Sequence, residues 1–133
     1  MENYNFLKRF QTTNDNCFST CVANLLFLSD EELNNMPQHH KYEWFDNYQE
    51  HLKKYGYQLL NVMCSNKEGL VNFPDILCII SGRSPYSEHI YHSVIGIKGK
   101  ILFDPRPEGL GILGDFTDWE FCFLISTSYE IRR

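Results

Sequence analysis

Four residues of this chain have the types and the order that acyl chemistry through a thiol requires: Gln11, Cys17, His92 and Asp104. A carbonyl carbon is attacked by the thiolate rather than the thiol, so a reactive Cys needs a cationic or dipolar neighbour. Cys17 follows Asn14, Asp15 and Asn16, which are good N-cap residues, and precedes Phe18, Val22, Leu25 and Leu26 at helical spacing. The pattern predicts a helix that begins near Asn16 or Cys17. Its first turn, the positive end of the helix dipole, then carries the sulfur. Cys21 stands one turn deeper on the same general side. With Cys64, Cys78 and Cys122 it lies in an apolar run or lacks such a setting, and these four read as core fillers.

The thiol needs a base, and His serves near neutral pH. Of five His residues, His39 and His40 fall in a polar interhelical segment, His51 on a helix and His89 in a loop. His92 alone opens an apolar strand, YHSVIGI, and a strand end is a rigid place for a base. Asp104 closes the next strand and would reach the imidazole across a hairpin whose strands lie about 4.8 Å apart, fixing its tautomer. Gln11, six residues before Cys17, could offer its amide beside the Cys17 backbone N–H to a developing oxyanion.

Gln11, Cys17, His92 and Asp104 in this chain order, with the Gln-x5-Cys interval, resemble the papain-like superfamily of cysteine proteases. The nearest resemblance is to the small bacterial branch that cuts bacteriocin leader peptides after a double glycine, matched here by HSVIGI and FDP. Short stand-alone relatives of this kind occur among bacterial and phage proteins. The likeness covers roughly Phe10 to Leu28 and Ile90 to Pro107. Phe18 stands where that branch usually has Gly, the His-to-Asp interval is short, and no transporter domain follows. The resemblance implies a papain-like α+β fold, N-terminal helices packed against an antiparallel β-sheet. It also implies a thiol-dependent hydrolase, a peptidase or isopeptidase, acting on a peptide or protein through a Cys-His-Asp triad and a covalent acyl-enzyme, without a cofactor. Two further readings share the geometry: a catalytically inactive protein-binding module, and an acyltransferase or transglutaminase-like enzyme in which an amine attacks the acyl-enzyme.

A metal site is the rival that the same residues allow, from Cys17 and Cys21 at i, i+4 with His89 and His92 at i, i+3. Structural zinc more often uses a CxxC knuckle, and the Cys17/Cys21 face is shared with apolar residues, so no metal is expected. GLGILG, Gly109 to Gly114, matches a dinucleotide fingerprint, but that pattern needs a strand before it and a βαβ unit after it, and only 19 residues follow Gly114. It reads as a flexible loop flanking the cleft. Arg83 and Arg106 are candidates to grip a carboxylate or phosphate, against the plainer reading of solvated charge. Trp44 and Trp119 read as core aromatics.

The elements that must position these groups follow from the pattern. Ser29 with Glu32 is a capping box opening a short helix that Pro37 ends. Trp44, Phe45, Tyr48 and Leu52 mark the apolar face of a third helix, stopped by Gly56. Strands are expected over Tyr57–Met63, Ile76–Ser81, Ser93–Ile97, Ile101–Asp104 and Phe121–Ile125, with Lys98 and Gly99 as a hairpin turn.

Composition sets the outer bounds. The 133 residues suit one domain, 1–133, and 43% hydrophobic with 15% aromatic residues, including ten Phe and eight Tyr, suffices for a core. The net charge of -5, with scattered basic residues, argues against a nucleic-acid partner. No apolar stretch approaches the roughly 20 residues that span a bilayer. Five irregularly spaced Cys, and a start, MENYNFLKRF, without a long apolar segment, point to a cytoplasmic protein. The oligomeric state is left open.

Overall fold

The computed structural model describes residues 4–39 and 43–127, so His40 lies outside the described residues. The chain is α+β, with helices α1 (Cys17–Leu25), α2 (Asp30–Asn34), α3 (Trp44–Leu52) and α4 (Lys67–Val71). Five strands, β1 (Tyr57–Met63), β2 (Cys78–Arg83), β3 (Tyr91–Ile97), β4 (Lys100–Phe103) and β5 (Glu120–Ser126), form one antiparallel sheet in the order β1-β5-β2-β3-β4. Among the described residues no helix is long and apolar enough to cross a membrane.

Both faces of the central strands are covered, so β2 and β3 are buried almost throughout rather than alternating. Ile79 and Ile95, paired across β2 and β3, face Phe18, Cys21 and Val22 of α1 and Tyr48 and Leu52 of α3. Ile80 and Val94 point the other way, into a second cluster with Trp119, Phe121 and Ile112. Trp119 is therefore core, and Trp44 packs half-buried against the first cluster.

Local chemistry explains most boundaries. Ser29 and Glu32 form the reciprocal capping box at the start of α2. Gly56 terminates the helical segment after α3 at φ +78°. Lys98 (φ +47°) and Gly99 (φ +81°) both occupy the left-handed region between β3 and β4, which is the type I′ turn whose twist matches a hairpin. Several elements depart from expectation: β3 begins at Tyr91 rather than Ser93, and β4 runs Lys100–Phe103 rather than Ile101–Asp104. β2 runs from Cys78 to Arg83 rather than Ile76 to Ser81, because Gly82 continues the strand where Trp119 needs room: a Cβ there would stand 2.9 Å from Trp119 Cδ1. α4 was not foreseen; its N-cap Asn66 accepts the Gly69 N–H at 2.8 Å.

Candidate active site

The sulfur is carried by the first residue of α1, and the preceding loop decides what that helix end offers. Asn16 is the N-cap but makes no side-chain cap hydrogen bond. Its amide instead closes the loop, accepting from the Thr13 N–H at 3.2 Å and donating to Thr12 Oγ1 at 3.0 Å. The first-turn N–H groups of α1 are thus left without the cap that Asn usually supplies. Cys17 is 5% exposed at this tip.

β3 and β4 bring the imidazole and the carboxylate together. Phe103 pairs with Ile95, and Asp104 continues one step beyond, diagonal to His92. His92 Nε2 and Asp104 Oδ1 are 2.7 Å apart, both side chains nearly buried. Asp104 is held by three further donors: Arg106 N to Oδ1 at 2.9 Å, Tyr86 Oη to Oδ2 at 3.1 Å and Gly111 N to Oδ2 at 2.8 Å. Burial opposes ionisation of this carboxyl, but the bonds from His92, Arg106 and Gly111 outweigh it and hold its pKa below the ordinary value.

The same balance operates on the base. Burial disfavours the His92 imidazolium, yet hydrogen bonding and charge from Asp104 and Cys17 prevail and raise its pKa to about 9. Cys17 is therefore near enough to act on the ring directly, and with Nε2 taken by Asp104 the nitrogen left to it is Nδ1. Three other thiols have a different setting. Burial, with a smaller contribution from Cys17, pushes Cys21 well up, and its Sγ lies 3.6 Å from Ser93 O. Burial raises Cys78 and Cys122 to about 12. All five cysteines are free.

Gln11 reaches the site through the N-terminal segment. Arg9 is bonded twice to Asn24 of α1, Nε to Oδ1 and the Arg9 carbonyl to Nδ2, each at 3.0 Å. Arg9 Nη2 also donates to the Leu28 carbonyl. The Gln11 N–H then donates to the Pro105 carbonyl at 2.9 Å, next to Asp104. Its side-chain Nε2 donates to Thr13 O at 2.8 Å, and its Oε1 is buried with no hydrogen-bond partner. One N–H of that amide remains for a ligand, since a primary amide carries two.

Several placements differ from expectation. GLGILG is no loose loop: Gly111, at φ +74°, and Leu110 direct their N–H groups to Asp104 and to Tyr86 Oη. Tyr86 escaped notice in the sequence, yet its hydroxyl touches Asp104, its ring meets His92 edge to face at 5.1 Å, and the Arg106 guanidinium lies 4.1 Å from its centroid. His39 lies in the segment between α2 and α3, but its ring packs on aromatic neighbours: it stacks on Phe18 at 4.4 Å and meets Trp44 edge to face at 4.2 Å. His89 is an exposed loop residue at φ +62°. Among the described residues no three His, Cys, Asp or Glu side chains are grouped to hold a metal ion.

Two hollows flank the centre. One of about 210 Å³ lies against Thr12, Thr13, Asp15, Asn16 and Ser19. The other, of about 310 Å³, is lined by His92 itself with Tyr86 and Arg106. Neither family models, curated proteins nor solved structures return a match to this chain.

Proposed function

We propose that this chain is a papain-like thiol hydrolase, a peptidase or isopeptidase acting on a peptide or protein. The observation that carries this reading is the His92–Asp104 pair at 2.7 Å, with Cys17 close enough to His92 to add hydrogen bonding and charge to the rise in its pKa. In the reaction, the Cys17 thiolate forms a C–S bond to the substrate carbonyl carbon, and the carbonyl electrons move onto oxygen. The uncapped N–H groups of α1 and the Gln11 amide are the donors for that oxyanion. His92 Nδ1–H gives its proton to the leaving nitrogen as the C–N bond breaks, which leaves an acyl-enzyme. Water then attacks the thioester, His92 takes its proton, and the acid and the thiolate are released. Asp104 keeps the tautomer fixed throughout.

Five free thiols favour a reducing compartment, and we assign the protein to the cytoplasm on that ground. A panel of peptide, isopeptide and amine-donor substrates tests the function, with wild type beside Cys17→Ala. The reading requires amide or isopeptide hydrolysis that Cys17→Ala lacks. Product formed equally well by both proteins would remove Cys17 from the chemistry, and product formed only with an amine donor would replace hydrolysis by acyl transfer.

A further inference from the structure

We propose that the hollow beside His92 is the seat of the leaving group, and that it selects a leaving group bearing a carboxylate. This rests on the hydrolase reading. His92 must hand its proton to the leaving nitrogen, so the departing segment lies on the imidazole's side of the sulfur. Of the two hollows, only the one of about 310 Å³ has His92 in its wall.

Their linings differ in charge. The His92 hollow contains Arg106 and no Asp or Glu, with Ser84, Ser87 and Asn14 as neutral hydrogen-bonding groups. The hollow of about 210 Å³ contains the carboxylate of Asp15 and no Lys or Arg. Arg106 is also held in place: its guanidinium rests on the Tyr86 ring, its backbone N–H is fixed to Asp104, and one nitrogen, Nη2, donates to Glu108 at 3.1 Å. Glu108 is half exposed, and an ion pair so open to water is readily exchanged. A guanidinium offers five donors in a fork that matches a carboxylate. A substrate carboxylate in this hollow meets the Arg106 guanidinium, while the His92 ring in the same wall is already paired with Asp104.

Two alkylating reagents that differ by one charge read this directly. Cys17 is labelled at neutral pH and low salt with iodoacetate and with iodoacetamide, and the Cys17 peptide is quantified by mass spectrometry. The iodoacetate-to-iodoacetamide rate ratio, normalised to the unfolded chain, is expected to be at least fivefold above unity in the wild type. Arg106→Gln should lower it at least threefold, while Glu108→Gln, which removes the competing carboxylate, should raise it. A ratio unmoved by both substitutions would overturn the carboxylate subsite. Iodoacetamide labelling no faster than in the unfolded chain would instead overturn the hydrolase reading beneath it. Short acetylated peptides then name the source of the carboxylate by protecting Cys17 from iodoacetamide. One has a free C-terminus, one an Asp side chain with an amidated end, and one neither. Protection by either acidic peptide above the neutral one supports the subsite, and equal protection by all three counts against it.

Discussion

At the scale of single residues, the site is an arrangement of donors around one carboxylate. Asp104 accepts four hydrogen bonds, and each either orients His92 or ties down a loop beside it. Tyr86→Phe keeps the ring contacts with His92 and Arg106 but removes one donor from Oδ2 and the acceptor of the Leu110 N–H. A hydrogen bond to the charged form favours that form, so its loss raises the Asp104 pKa. The rate of Cys17 alkylation at neutral pH should fall severalfold; an unchanged rate would make Tyr86 a spectator. Asp104→Asn should cost more, roughly 100-fold or greater in hydrolysis, since the ring loses its charged partner. Steady-state rates on a substrate found in the panel above check this. The His92–Asp104 contact was legible because each residue bears a chemical type at a recognisable strand end. Tyr86 and Gly111 were not, because what they do depends on a fold that brings positions 86, 104 and 111 together.

The elements show where local rules suffice and where tertiary packing overrides them. The α2 capping box and the Lys98–Gly99 turn are readable because their partners lie within three residues. The extension of β2 through Gly82 and Arg83 is not readable, since these look like turn residues until Trp119 is seen to require the space over Gly82. Gly96 is a stricter case. A Cβ there would come within 2.6 Å of Ile80 Cδ1 and would collide with the Lys100 carbonyl of the neighbouring strand. Gly96→Ala is expected to destabilise the chain by ~2–3 kcal/mol through overpacking. Urea unfolding would show this as a lower midpoint at constant slope. Asn24→Ala breaks both bonds to Arg9 and so loosens the segment that carries Gln11. A loss of ~2 kcal/mol is expected, together with slower hydrolysis, and unchanged stability would show that this segment is held otherwise.

For the whole molecule, the two cores on either side of the sheet are the frame that keeps a helix tip and a strand edge in register, and the buried charges make its stability depend on pH. His92 has a folded pKa of about 9, above the unfolded value near 6.5. Its contribution is complete below about 6.5 and is lost as pH rises through about 9. The shift corresponds to on the order of 3 kcal/mol. Asp104 acts in the opposite sense: its folded pKa lies below 3.8, so its contribution holds above that value and is lost as pH falls through the folded pKa. Thermal unfolding should therefore be most resistant between about pH 4 and 6.5, with a fall in Tm towards pH 9 that His92→Gln flattens.

Reactivity of Cys17 towards iodoacetamide at pH 6, compared with the unfolded chain, tests the convergence of sulfur, imidazole and carboxylate most directly. Free thiols react slowly at this pH because few are ionised, so a paired thiolate should be labelled at least tenfold faster in the folded protein, and His92→Gln should abolish the excess. Labelling in the folded chain no faster than in the unfolded one would contradict the account.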